Sequence, residues 1–233
     1  MYNYFTFGTI VSKNYGVYIS GSEVFNAPER EFELIHIPGR DGDLIGIERR
    51  LPNIELTYPA FIFNSFQSQI AQFRNLMLAV SKYTKLSDSY HSGEYRMAVP
   101  VGGVLVDPTR SLHAGKFDIR FSCKPQRYLD SGDTPIENPA TLTNPTLFPS
   151  KPLIRVYGYG DLAIGTQIIT VTDAFAYVDI DCDLMECYYG TQNANLQVAF
   201  SGNDFPLIPT GTTTISHDNT ITKVVITPRW WKV

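Results

Sequence analysis

Cysteine is scarce in this chain of 233 residues, and its three copies are not spaced as disulfide partners or metal ligands. Cys123, Cys182 and Cys187 are odd in number and form no Cys-x-x-Cys pair, whereas disulfide-stapled domains carry even sets and structural zinc sites carry closely spaced pairs. The amino-terminal residues also lack the basic stretch and long apolar run of a secretory signal. We therefore predict reduced, structural thiols on strands, in a chain that folds in a cytoplasm.

Long apolar runs and a surplus of basic residues are missing as well. No window approaches the ~18 apolar residues of a membrane-spanning helix, so no membrane partner is expected. The net charge is −4; residues 1–130 hold 14 Lys and Arg against 13 Asp and Glu, and residues 131–233 hold 5 against 10. Neither part has the basic patch by which proteins bind nucleic acid.

Motifs for catalysis or metal binding are not found. The sequence contains no Gly-x-Ser-x-Gly elbow and no phosphate-binding glycine loop, and its histidines lie far apart, at His36, His91, His113 and His217. A catalytic triad assembled from distant residues leaves no trace in a single sequence, but nothing positive points to one. We therefore predict no catalytic residue, no cofactor and no metal site, and a protein that is not an enzyme.

One run of aspartates resembles a calcium loop by its spacing alone. Asp179, Asp181 and Asp183 alternate with apolar residues, but the glycine and the final glutamate of an EF-hand loop are not in place. The alternative is a β-strand in which Val178, Ile180, Cys182 and Leu184 are buried and the aspartates face solvent. The alternation favours the strand.

The abundant residues indicate a mainly β protein with a substantial core. Hydrophobic residues make up 43% of the chain and aromatic residues 13%, with 14 Tyr and 14 Phe. Strand-like alternation covers Glu29–Ile37, Asn53–Ile62 and Lys116–Cys123, and the dense turn cluster Pro38–Asp43 follows the first of these. A helical period appears in Ser65–Tyr83, with Ser65 as a candidate N-cap and an apolar face formed by Ile70, Phe73, Met77 and Val80. An amphipathic helix normally covers a sheet, so residues 1–130 are predicted to form a β-sheet or sandwich domain with one packed helix.

The remainder of the chain is predicted to hold a second domain. Prolines recur among small polar residues over 131–150, which is typical of a linker. Short strands separated by Gly, Asn and Asp then fill 151–233 and indicate an antiparallel β-sandwich. Both tryptophans, Trp230 and Trp231, lie at the carboxyl end behind a strand-like stretch. So much ring area at a terminus indicates either a docked end or rings that cap a core. A docked end would bind a partner or its own chain, in the latter case near the interdomain junction.

Short motifs that keep the same order along the whole chain resemble those of siphophage distal tail proteins. They are Asn14–Gly21, Phe25, Ala27–Arg30, Ile37–Leu44, Asp88–His91, Phe121–Leu129, Asn144-Pro145, Pro149–Pro152, Tyr177–Asp181, Ser201–Pro206 and Ile226–Trp231. The residues that carry the signature most clearly are Tyr15, Gly16, Pro38, Gly39, Arg40, Gly42, Pro228, Arg229, Trp230 and Trp231.

This resemblance implies a structural protein of the virion at the distal end of a phage tail. Members of the family form a hexameric ring, single or doubled back to back, through the amino-terminal domain. The ring joins the tail tube protein to the tail-associated lysin or tail fibre protein, and DNA passes through its channel only as cargo. The carboxyl-terminal domain of the family is a galectin-like β-sandwich to which receptor-binding proteins attach.

A second interpretation is a carbohydrate-binding module that contacts host cell-wall saccharide through the galectin-like domain. Sugar sites combine a stacking aromatic ring with polar groups. Candidate aromatic residues in the second domain are Tyr157, Tyr159, Tyr188 and Tyr189.

Overall fold

The structure is a computed structural model. It describes residues 2–21, 24–46, 50–63, 66–103, 106–108, 114–202 and 204–233. The candidate N-cap Ser65, the histidine His113 and Asn203 of the Ser201–Pro206 motif lie outside these ranges. The chain divides into two compact units, Met1–Arg127 with Val233, and Tyr128–Lys232.

The first unit is a curled β-sheet with one α-helix. Its main sheet has the strand order β2-β1-β7-β8-β10-β6-β3, β9 pairs with β10, and β4 and β5 form a separate two-stranded sheet. Its elements are β1 (Phe5–Phe7), β2 (Ile10–Val11), β3 (Val17–Ile19), β4 (Glu33–Ile35), β5 (Leu44–Gly46), β6 (Ile54–Phe63), α1 (Phe66–Leu78), β7 (Thr84–Asp88), β8 (Glu94–Val101), β9 (Val106–Pro108) and β10 (Ala114–Leu129).

The predicted apolar face of the helix packs on this sheet, as expected. Ile70, Phe73 and Met77 are buried among sheet residues, and Val80, which lies beyond the last helical residue, is partly buried against the same core. The helix ends at Leu78 rather than at Tyr83, because the chain must turn before Thr84 enters β7. Rings from separate strands fill the centre of the core: Phe5 stacks on Tyr58 at 5.5 Å between centroids.

The second unit is a β-sandwich made of two antiparallel sheets. One sheet has the order β11-β21-β13-β16-β17-β18 and the other β12-β20-β14-β15-β19. Its strands are β11 (Ile136–Glu137), β12 (Thr141–Asn144), β13 (Leu153–Gly158), β14 (Gly160–Ile164), β15 (Gln167–Val171), β16 (Tyr177–Asp181), β17 (Glu186–Tyr189), β18 (Gln192–Asn193), β19 (Val198–Phe200), β20 (Gly211–His217) and β21 (Ile221–Thr227). A last short strand, β22 (Trp231–Lys232), belongs to neither of these two sheets. The predicted mainly β fold, with one helix packed on a sheet and an antiparallel sandwich, is confirmed.

The segment 131–150, predicted as a linker, lies within the second unit and contributes a strand to each of its sheets. Ile136–Glu137 pairs with β21, Thr141–Asn144 pairs with β20, and Leu142 is buried in the sandwich core. The recurring prolines fall around these short strands. Such short strands are held by backbone hydrogen bonds to distant partners, and two to four residues are too few to show a periodic pattern. The composition of this segment therefore indicated a linker.

All three cysteines are free and buried in the two cores. Burial disfavours the thiolate and raises the pKa of each thiol to about 12. This environment is that of inert structural thiols, in line with the sequence prediction.

Candidate functional site

The turn cluster of the sequence forms the loop of an exposed hairpin in the first unit. We call the segment 32–46, with strands β4 and β5, the arm hairpin. Pro38, Gly39, Arg40 and Gly42 lie in its loop, where Gly39 and Gly42 adopt φ values of 80° and 78°. These left-handed conformations favour glycine, since a side chain is strained there. The residues of this signature motif therefore shape a turn.

One face of the arm hairpin is apolar and faces solvent. Leu34 pairs with Ile45 across the two strands, and Phe32 lies two residues before Leu34 on the same side. The exposed fractions of Phe32, Leu34 and Ile45 are 58%, 63% and 56%. An isolated two-stranded hairpin is only marginally stable in water, and an apolar patch of this kind marks an interaction surface.

The other amino-terminal signature residues have a structural place inside the first unit. Tyr15 ends the 3-10 helix Ser12–Tyr15, and its ring packs 6.1 Å from that of Phe73. Gly16 closes this helix at φ 67° and donates its N–H to the carbonyl of Lys13 at 3.1 Å. Tyr15 and Gly16 thus fix the turn that leads into β3.

A pocket of about 160 Å³ opens between the carboxyl end of α1 and strands β8 and β10. Met77, Val80 and Ile119 provide an apolar floor, while Arg74 and Arg120 lie among its polar lining. Arg120 also approaches Glu55 at 3.7 Å through side chains that are half exposed. The pocket therefore combines an apolar interior with two cationic groups and one carboxylate, that of Asp118.

Arg229 of the carboxyl-terminal signature forms an ion pair within the second unit. Arg229 donates two hydrogen bonds to Asp181, from Nη1 to Oδ1 at 2.7 Å and from Nη2 to Oδ2 at 2.9 Å. Burial alone would raise the pKa of the Asp181 carboxyl. The bonds from Arg229 and from the backbone N–H groups of Leu184 and Asp183 outweigh burial, so this pKa lies below its usual value. The carboxylate is therefore held ionised by its partners.

The two tryptophans occupy different environments in the second unit. Trp230 is 5% exposed in the sandwich core, and its carbonyl accepts the N–H of Leu129 at 2.9 Å. Trp231 stacks on Phe148 at 4.5 Å between centroids and donates its indole N–H to the carbonyl of Pro149. Gly132 lies so close to the backbone of Trp230 that a Cβ atom there would overlap it. The terminus is thus docked on its own chain, and the ring of Trp230 belongs to the core.

The expectation that the aspartates of β16 face solvent was wrong. Asp179 and Asp181 are both buried, and each accepts two hydrogen bonds from one arginine, Arg155 and Arg229 respectively. Leu184, expected in the core, is instead exposed in the turn that follows β16. The alternation placed the aspartates on the outer face correctly, but their arginine partners bury them there: Arg155 comes from β13 and Arg229 from the segment that follows β21.

The outer face of the same sheet carries a shallow groove of about 340 Å³. We call it the sheet groove; its residues are Pro135, Glu137, Leu153, Arg155, Tyr157, Asp179, Lys223, Val225 and Thr227. Tyr177 borders it, with its ring centroid 5.6 Å from that of Tyr157. Of the other candidate aromatics, Tyr188 on β17 lies opposite Asp179 on β16, whereas Tyr189 stacks on Phe175. Tyr177, which sequence reasoning did not select, shares a face with Tyr157 through a register that the sequence does not reveal.

Within the described ranges, no set of three or more His, Cys, Asp or Glu side chains is arranged to hold a metal ion. Each of the described histidines has a local partner: His36 approaches Asp43, His91 approaches Asp88, and His217 approaches the carbonyl of Asp218. No helix in the described part of the chain has the length and apolar character needed to cross a membrane.

Solved structures from two phages are similar to this chain over nearly its whole length. The SPP1 Dit (gp 19.1) protein, described as a paradigm of hub adsorption apparatus in phages that infect Gram-positive bacteria, aligns with a TM-score of 0.74 at 14% identity, over 97% of this chain and 98% of that one. A chain of the phage p2 baseplate, in its activated conformation with Sr, aligns with a TM-score of 0.53 at 11% identity over 96% of both chains. No protein-family model matches, and no curated protein matches the sequence. The chain therefore has the fold of the SPP1 Dit protein.

Proposed function

We propose that the chain is a structural distal tail protein of a siphophage, which forms a hexameric ring at the tail tip. The observation that carries this proposal is the fold shared with the SPP1 Dit protein over 97% of the chain. In this role the ring joins the tail tube to the tail-associated lysin or tail fibre, receptor-binding proteins attach to it, and DNA passes through its channel. This role depends on a stable shape and on complementary interfaces, and it needs no catalytic group.

A ring closed by rotation needs two different surfaces on each copy that fit one another. The arm hairpin suits one of them, because Phe32, Leu34 and Ile45 present an apolar face that its own chain leaves exposed. Its flanks are acidic: residues 29–43 carry five Asp and Glu against two Arg. A partner surface should therefore combine apolar and basic groups.

The pocket beside α1 has the complementary character. Its floor of Met77, Val80 and Ile119 is apolar, and the two positive charges of Arg74 and Arg120 exceed the single negative charge of Asp118. We infer that the arm hairpin of one copy binds the pocket side of the first unit of the next. Burial of apolar area would supply the affinity, and opposite charges would select the orientation.

Replacing Leu34 and Ile45 together with threonine should convert the ring to monomers. Threonine is β-branched and suits a strand, but it removes most of the apolar area of this cross-strand pair. The Arg74→Glu variant should also weaken the ring, because it replaces a cation of the pocket with an anion that would repel the acidic flanks of the arm hairpin. Light scattering coupled to size exclusion measures the mass, which should fall from about six times 26.2 kDa to that of one chain.

The matched control replaces Leu147 and Leu196, two leucines of the second unit that are even more exposed than Leu34 and Ile45, with threonine. This control should keep the mass of the ring. An unchanged mass in the hairpin variant would rule out the arm hairpin as the contact, whereas a monomeric parent chain would overturn the ring itself.

A further inference from the structure

The chain leaves the core of the first unit after Val24 and returns to it in β6. Val24 is fully buried in that core, whereas no described residue from 27 to 55 is buried. We call residues 27–53, which include the arm hairpin, the arm segment. Because this segment has no buried residue of its own in the described part, its orientation depends on how its two ends are fastened.

A hydrogen bond joins the two ends of the arm segment. Asn26 lies two residues after the buried Val24 and donates from Nδ2 to the carbonyl of Glu55 on β6 at 2.9 Å. The two residues are 29 positions apart in the sequence. A loop whose ends are held together has fewer orientations available than one with an open base. This bond therefore restricts the direction in which the arm segment leaves the first unit.

Arg96 on β8 fastens Asn26 to the main sheet. Its guanidinium is 2% exposed and donates to the carbonyl of Asn26 from Nη2 at 3.4 Å and to the carbonyl of Pro125 on β10 from Nη1 at 2.6 Å. Burial, with a smaller effect from Arg127, lowers the pKa of Arg96 to about 10, so the group stays charged at neutral pH. Hydrogen bonds from a charged donor are stronger than those between neutral groups.

The ring of Phe25 makes a weaker contact at the same point. Its centroid lies 4.7 Å from that of the His91 ring. Phe25 is nevertheless 73% exposed, so this contact buries little apolar area. Asn26 is bonded through its side chain to the end of the arm segment and through its carbonyl to the main sheet. The orientation of the arm segment is therefore set mainly at Asn26.

We propose that Asn26, supported by Arg96, is a positioning residue for ring assembly, which locks the base of the arm segment and holds the arm hairpin in one orientation before it meets the neighbouring copy. This inference rests on the ring proposed above. A locked base lowers the entropy lost when two copies associate, so it raises the affinity of the ring contact without touching the partner.

The first test follows the orientation of the arm segment in the absence of a ring. Spin labels are attached through Asp41→Cys in the arm hairpin and Lys116→Cys on β10, in the monomeric background with threonine at positions 34 and 45. The three native cysteines are buried and should not react with the label. The distribution of distances between the labels should be narrow in this background and should broaden clearly when Asn26→Ala is added.

The second test measures the ring itself in the otherwise unchanged chain. Asn26→Ala should raise the concentration at which half of the rings dissociate by about three- to tenfold, the effect expected of one hydrogen bond. The thermal unfolding midpoint should change little, because Asn26 is outside the core of the first unit. The matched control is Asn195→Ala, which removes a hydrogen bond of 2.6 Å to the N–H of Cys187 in the second unit. This control should leave both the label distances and the ring unchanged.

The outcomes separate the positioning role from the ring. A parent chain that forms no ring would overturn the proposed function and, with it, the role of Asn26 in assembly. A parent ring together with label distances that do not broaden in Asn26→Ala, or with equal dissociation of the Asn26→Ala and Asn195→Ala rings, would overturn the positioning role alone.

Discussion

Replacing Arg229 with methionine should lower the stability of the second unit by about 3–5 kcal/mol, the usual cost of removing one partner of a buried ion pair. Asp181 would remain buried with only the backbone N–H groups of Asp183 and Leu184 as partners. Methionine fills much of the same volume and shares the positive φ of 56° at this position, so backbone strain is the same in both proteins. Hydrogen exchange of the Asp183 and Leu184 amides measures the opening free energy directly.

The effect of the Arg229→Met substitution should depend on pH with a definite sign. The folded-state pKa of Asp181 lies below its ordinary value of 3.8. The pair therefore contributes its full stability above about pH 4, and that contribution is lost as the pH falls through the lower, folded-state pKa. The difference in unfolding free energy between parent and variant should be constant near neutral pH and narrow below about pH 4.

The control for Arg229 is Lys151→Met, which removes the cation paired with the neighbouring Asp183. That pair is exposed, with N and O 3.4 Å apart, and should contribute at most about 1 kcal/mol. Equal effects from the two substitutions, or a difference that widens in acid, would contradict the assignment of Arg229 and Asp181 as a buried structural pair.

Trp230→Ala is the second substitution expected to have a large effect, with a loss of about 3–5 kcal/mol from the second unit. The indole is almost fully enclosed by the sandwich core, so alanine would leave a cavity. The hydrogen bond from the N–H of Leu129 to the carbonyl of residue 230 involves only backbone atoms and is retained. Urea unfolding followed by far-ultraviolet circular dichroism measures the change.

The adjacent tryptophan provides a matched comparison. Trp231→Ala removes the stacking on Phe148 and one hydrogen bond to Pro149 from a partly exposed site, so it should cost about 1–2 kcal/mol. A larger loss for Trp231 than for Trp230 would mean that the core does not depend on the buried ring.

Sequence periodicity predicted the elements that bury one continuous face. The helix was recognisable because Ile70, Phe73 and Met77 recur with its period, and all three pack on the sheet. The docked terminus was also foreseeable, since two exposed indoles at a chain end are unfavourable. In these cases the signal lies within a dozen residues, and local spacing alone determines the outcome.

Features that depend on distant partners were not predictable in this way. Asp179 and Asp181 are buried by Arg155 and Arg229, which lie 24 and 48 residues away. Tyr177 reaches Tyr157 only through the register of β13 with β16. The arm hairpin alternates like a buried strand, yet its apolar residues face solvent; the ring contact proposed above would cover them. Long-range pairing, rather than local composition, decides each of these cases.

Electron microscopy of the purified chain tests the central claim most directly. If the chain is a ring-forming hub protein, particles should show six-fold symmetry around an open channel. In those particles the first unit should form the ring, and the arm hairpin should contact the neighbouring copy. Isolated single copies at micromolar concentration, or pairs related only by a two-fold axis, would contradict the account.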